Sequence, residues 1–190
     1  FMGLVGSEMC IRDSRMAAQK PLRPMRNSMK KWWHEATQKN LLFLAEAEVD
    51  YGRVHGAIAH PDRTAGVAGI YPVFDWRVYP GVEIASHSYG LSREEMIMNS
   101  SSLCPVEQLH ITAEADVPFF LIHGDSDSVV PIESNSLKVK EQYESLGKGN
   151  LVTLIVAEGQ GHKYWEGYFR CRPLVDFLID QARESSNMLL

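Results

Sequence analysis

Two short loops hold the residue types whose spacing could do chemistry. The first follows the apolar run PFFLI and reads His123-Gly124-Asp125-Ser126-Asp127-Ser128-Val129-Val130-Pro131. The second follows LVTLIVA and reads Glu158-Gly159-Gln160-Gly161-His162. An acid loop is thus followed about 35 residues later by an imidazole loop. Such a pair suits nucleophilic catalysis, in which a carboxylate holds an imidazole in one tautomer and the imidazole takes the nucleophile's proton. Metal ligation by His110, His123 or His162 is disfavoured, because the chain has neither an H-E-x-x-H run nor a short paired spacing.

The elements that must position these loops are legible as apolar runs. Leu41 to Ala45 (LLFLA), Gly66 to Val73 (GVAGIYPV), Pro118 to His123 (PFFLIH) and Leu151 to Ala157 (LVTLIVA) read as strands of a sheet covered on both faces. Between the last two, Glu133 to Leu146 places Leu137, Val139, Tyr143 and Leu146 at helical spacing and ends at Gly147, making a βαβ crossover. Arg172 to Ala182 opens with Pro173 near its first turn and aligns Leu174, Phe177 and Leu178, a closing helix. This alternation predicts the α/β class with a mostly parallel sheet of about four strands flanked by helices. Ligand groups in such sheets collect at the carboxyl ends of the strands, where both loops stand. A cap-like insertion is expected at about 85–116, with SREEM as a helix start.

Composition bounds the rest. With 190 residues, 45% hydrophobic and 23% charged, the chain reads as one ordinary globular domain, not a disordered tail, a collagen-like fibre or a coiled coil. No stretch approaches the about 18 uninterrupted apolar residues that cross a bilayer, and the reading is a protein with no membrane partner. The net charge of −5 argues against a nucleic-acid partner, although Arg12 to Lys31 gathers seven basic residues against Asp13 alone. Within it, Arg15 to Lys31 reads either as a solvated leader or as a transit peptide, and the apolar start of the chain has the wrong order for a secretory signal. Cys10, Cys104 and Cys171 form no paired framework and are expected as buried free thiols.

The two loops together resemble the α/β-hydrolase superfamily, in its prolyl-oligopeptidase-like and carboxylesterase-like branch. HGDSDSVVP looks like the family's HGxxDxxVP, which makes Asp127 the acid, and GQGHKYW looks like its GxGH loop, which makes His162 the base. Ala68 to Trp76 (AGIYPVFDW) resembles the strand and turn before the family's variable cap. Asp125 reads as a turn residue, and His123 stands where the family keeps a structural histidine. The resemblance covers roughly Asn40 to Ala182. It implies the distal half of an α/β-hydrolase fold and hydrolysis of a small-molecule ester or peptide through an acyl-serine intermediate, with no cofactor and no metal. Tyr164, Trp165 and Tyr168 beside the histidine fit either a substrate pocket or core packing.

The chain departs from the family at the nucleophile. The family presents serine in G-x-S-x-G on a sharp turn straight after a strand, and the expected place follows LLFLA. There the chain reads Ala45-Glu46-Ala47-Glu48-Val49-Asp50, with Ala47 at the nucleophile position, and Ser86 and Ser88 lack the flanking glycines. Shifting the reading frame at the last base of the Glu46 codon permits serine at position 47, leucine at 51 and tryptophan at 56, the family's S-R-G-G-L and a following tryptophan. A compensating pair of single-base errors accounts for the segment; the rival is divergence to a non-catalytic pseudoenzyme or binding module. As written, the chain is expected to be inactive. With Glu48, Asp50 and Arg53 in a segment the family buries, the region is expected to be frayed. Leu4 to Ser14 (LVGSEMCIRDS) resembles the translation of a transposase sequencing adapter that contaminates assembled metagenomic genes. The expected organisation is therefore a non-native or disordered leader over 1–28 and a partial hydrolase domain over 29–190.

Overall fold

The structure, a computed structural model, describes residues 41–46 and 51–187. The leader over 1–28, the adapter-like string with Cys10, and the nucleophile position Ala47 with Glu48 and Asp50 all lie outside the described residues.

Four parallel strands form one sheet in the order β1-β2-β3-β4. They are β1 (Leu41–Glu46), β2 (Thr64–Ile70), β3 (Phe119–Gly124) and β4 (Val152–Ala157). Each expected strand is present, with ends moved by at most three residues. The largest change is at β2, which stops at Ile70 because Tyr71 takes a left-handed backbone (φ 37°) and Pro72 then supplies no N–H to a ladder. Register aligns the carboxyl ends: Glu46 lies opposite Ile70, Ile70 opposite Ile122, and Gly124 opposite Ala157.

Successive side chains of a strand point to opposite faces, and here both faces are buried. Val67, Phe119 and Leu121 meet Val54, Ala57, Leu109, Val139 and Tyr143 on one side. Ala68, Ile70, Phe120 and Ile122 meet Tyr168, Cys171 and Leu174 on the other. At about 1.5 to 3 kcal/mol for each large apolar side chain buried, these two layers are the main source of cohesion.

The helices supply those layers. Helix α1 (Tyr51–Ala59) follows β1. The expectation of a frayed segment is corrected from Tyr51 onward, because α1 is formed and buries Val54, Ala57 and Ile58. Four short helices come next: α2 (Val82–Tyr89), α3 (Arg93–Met98), α4 (Ser100–Leu103) and α5 (Leu109–Glu114). They bury Met96, Leu109 and Ala113 against the first layer. The expected start at SREEM is a capping box: Glu95 N–H donates to Ser92 Oγ at 3.2 Å, and Ser92 N–H donates to Glu95 Oε2 at 2.8 Å.

The helix expected over 133–146 is two pieces, a 3₁₀ turn at Ile132–Ser134 and helix α6 (Ser136–Ser145). They are split at Asn135 (φ −121°, ψ −98°), whose side chain bonds to backbone elsewhere in the fold. A short helix α7 (Glu166–Phe169) leads to the closing helix α8 (Arg172–Asn187), five residues longer than its apolar face predicts. Cys104 and Cys171 are buried free thiols. Among the described residues no helix is long and apolar enough to cross a membrane.

Candidate active site

The acid and imidazole loops leave the carboxyl ends of β3 and β4, which pair in register, so they emerge side by side. Three bonds join them: Asp125 N–H donates to Ala157 O (3.4 Å), Ser126 N–H to Gln160 O (3.0 Å) and Gly159 N–H to Asp125 Oδ1 (2.7 Å). Asp125 is thus the turn residue expected, and it spans both loops. Gly124 makes the close approach possible. A Cβ there would lie 2.0 Å from Gln160 O and 2.4 Å from the Tyr168 hydroxyl, distances no side chain tolerates.

Within this frame Asp127 and His162 meet. His162 Nδ1 lies 2.8 Å from Asp127 Oδ2, the carboxylate fully buried and the imidazole 19% exposed. Because a carboxylate only accepts, Nδ1 carries the proton and the neutral ring keeps its lone pair on Nε2. The other carboxylate oxygen, Oδ1, accepts the N–H groups of Val129 (3.0 Å) and Val130 (2.8 Å). A buried carboxylate is costly unless its lone pairs are filled; here three donors fill them.

His123 completes the support. It is fully buried, Nε2 donating to Val130 O at 2.8 Å and Nδ1 accepting from the Ser136 hydroxyl at 2.8 Å. Burial holds its pKa below the ordinary value, partly offset by the Val130 carbonyl and by Asp127, whose Oδ2 is 3.5 Å away. His123 therefore stays neutral and holds the acid loop in shape. On the far side of the loop Asn135 Oδ1 accepts from Phe74 N–H (2.7 Å) and Asp75 N–H (3.0 Å), and its Nδ2 donates to Pro131 O (2.9 Å). One buried amide thus ties the acid loop to the turn after β2.

Aromatic rings surround the imidazole. The Tyr71 ring lies 4.6 Å from that of His162, and Tyr79 lies 6.2 Å away. Of the three aromatics left open between pocket and core, Tyr168 is core: it is buried, and its hydroxyl pKa is pushed up to about 12 by burial first and then by Asp127, Tyr71 and Asp125. Trp165 packs edge-on against Tyr168 and over Gly167. Tyr164 is 80% exposed yet stacked on Phe169 at 4.7 Å.

Other candidates fall away from this centre. The hydroxyls of Ser86 and Ser88 bond back to Glu83 O and Ile84 O of helix α2, and His110 is exposed on α5. A groove of about 320 Å³ lined by Asp75, Arg77, Glu107, Glu133 and Lys138 includes neither Asp127 nor His162, and its Arg77 is already paired with Asp75 and Glu107. The nucleophile position Ala47 lies outside the described residues; β1 ends just before it, beside the carboxyl end of β2.

Asp127, His162 and His123 were singled out from the loop sequences. Asn135 and Tyr71 were not. Asn135 sits in a helix-like run where its type suggested nothing, and Tyr71 looked like one more residue of an apolar strand.

Comparison with known proteins gives the same fold. The model of the prolyl oligopeptidase family matches residues 53–181. The chain is similar to the crystal structure of puromycin hydrolase, with a TM-score of 0.52 and 19% identity, over 85% of this chain and 24% of that one. It is similar to an S-formylglutathione hydrolase from Agrobacterium tumefaciens, with a TM-score of 0.50 and 16% identity, over 83% of this chain and 55% of that one. The chain therefore spans about a quarter of the first and just over half of the second. No curated protein sequence matches it.

Proposed function

Since the chain belongs to the prolyl oligopeptidase family of α/β hydrolases, we propose that it carries the acid and base of a serine hydrolase, Asp127 and His162, acting on a small-molecule ester or peptide. The observation that carries this reading is the 2.8 Å contact between His162 Nδ1 and a carboxylate with no exposure of its own.

The chemistry follows from that geometry. Asp127 fixes the Nδ1–H tautomer, so Nε2 is the free base. A serine at position 47, after β1, would lose its hydroxyl proton to Nε2 as its oxygen adds to the substrate carbonyl. The protonated ring then delivers the proton to the leaving group, and water repeats the sequence to release the acid. Neither a cofactor nor a metal enters these steps. In this reading 29–190 is a partial hydrolase domain, with about 85–116 as its cap-like insertion, and the intact family member also has the strands that complete the oxyanion hole.

With Ala47 in the nucleophile position, the chain as written is an inactive form of that enzyme, and a shifted reading frame over codons 46–57 accounts for the segment. The second reading is a pseudoenzyme or binding module that keeps the acid and base loops as scaffold; the alanine itself favours it. Both readings predict an inert chain, and the repaired gene separates them. The chain should hydrolyse short nitrophenyl esters no faster than its His162→Ala variant, with free histidine as background; a clear loss on that substitution reveals a working site. With the frame restored in a full-length gene, the serine at position 47 should label with a fluorophosphonate, while Ala47→Ser in the present chain should not. Source DNA with no frame that reads serine at codon 47 leaves the pseudoenzyme.

A further inference from the structure

A hydrogen bond at one nitrogen fixes an imidazole's distance from its partner but leaves the ring free to swing about that bond. In a base that must aim its other nitrogen, something has to fix the ring plane. Asp127 supplies the bond to His162, and the 19% exposure of the imidazole shows that solvent takes part of its surface.

The turn after β2 supplies a wall. Tyr71 has φ 37°, a region that bulky residues rarely enter, and it precedes Pro72, whose ring restricts the residue before it further. Both neighbours hold it there. Its N–H donates to Ile122 O at 2.8 Å, extending the β2–β3 ladder by one bond. The Pro72 ring folds back over Gly69, where a Cβ would lie 2.7 Å from Pro72 Cγ. The turned backbone sets the Tyr71 ring 4.6 Å from the His162 ring, tilted by 55°. Behind it stand Tyr168, edge-on at 5.0 Å, and Phe169 at 6.4 Å. Tyr168 in turn occupies the space that Gly124 leaves open. Strain of this kind persists only where surrounding structure imposes it, and it clusters at functional sites.

We propose that Tyr71 is a positioning residue for His162: the strained turn holds its ring against the imidazole, so that Nδ1 stays on Asp127 and Nε2 stays aimed at the strand ends. This rests on the reading of His162 as the base.

The test reads the ring protons of the full chain by nuclear magnetic resonance, and His123 serves as an internal control. An Nδ1–H held on a carboxylate gives a far-downfield signal that vanishes when it exchanges quickly with water. The intact chain should show that signal for His162 and a separate Nε2–H signal for the buried His123. Tyr71→Phe keeps the ring and should keep both. Tyr71→Gly keeps the positive φ without a ring, and Tyr71→Leu keeps apolar bulk; each should lose the His162 signal, through severalfold faster exchange, while retaining that of His123. Unchanged His162 exchange in either variant overturns the proposal. Loss of both signals in both variants also overturns it, showing that Tyr71 only holds up the fold. A His162 protonated on Nε2 in the unaltered chain overturns the acid–base reading itself, which no result on Tyr71 alone would do.

Discussion

Asn135 is a single amide on which two distant stretches of backbone depend. Its Oδ1 is the acceptor for the buried N–H groups of Phe74 and Asp75. Removing the acceptor leaves both donors without water or partner, at about 1 to 3 kcal/mol each. Asn135→Ala should therefore lower stability by about 2 to 6 kcal/mol, read as a shift of the urea midpoint at unchanged slope. Asp127 and His162 are legible in sequence through the resemblance of their loops to HGxxDxxVP and GxGH, which alone picks Asp127 over Asp125. Asn135 is not, since asparagine is common at turns and nothing local says which backbone it serves. Tyr71 was hidden for a related reason: its role comes from a backbone angle, and tyrosine after an apolar run looks like a strand residue.

At the scale of elements, the acid and imidazole loops behave as one unit. Gly124 is the point of closest approach, with Gln160 O where a Cβ would sit. Gly124→Ala should push the second loop away, break the Ser126 N–H to Gln160 O bond and cost about 1 to 3 kcal/mol as an overpacked site. The His162 Nδ1–H signal should be lost with it; an intact signal would mean that the loops move together without separating. The four strands were found from sequence because continuous apolar runs bounded by turn residues mark strands buried on both faces. Their ends were misplaced where a side chain or a proline overrode the pattern, as at Tyr71 and Pro72. The apolar spacing over 133–146 is continuous and predicts one helix; the break at Asn135 comes from a side chain that competes for backbone partners.

For the molecule as a whole, the half-buried His55 and the buried His123 add to the response to acid. His55 has its pKa lowered to about 4 from an ordinary 6.5, by burial first and with the Leu103 carbonyl acting the other way; its ring is hydrogen-bonded to the Tyr89 hydroxyl. His123 is lowered as well, again chiefly by burial. Below pH about 6.5 the unfolded chain binds protons at both positions that the folded chain refuses, so stability is full above that pH and falls as pH drops toward 4. His55 alone contributes up to about 3 kcal/mol of that loss. Urea midpoints measured from pH 8 to pH 4 should fall in this window, and His55→Gln should flatten the fall; a midpoint that rises on acidification contradicts the burial of both rings. The strand order carries a consequence of its own. Because the sheet is laid down in sequence, β1-β2-β3-β4, its two chemical loops come from the later two of the four described strands. The helix that covers the second core, α8, follows later still. A nascent chain, which folds from its N-terminal side as it is made, assembles the Asp127–His162 pair only after β1, β2 and the helices between β2 and β3 have emerged. Any premature stop before Arg172 leaves Ala68, Ile70, Phe120 and Ile122 without the Leu174, Phe177 and Leu178 of α8 that complete their core, and exposes that face to quality-control proteases.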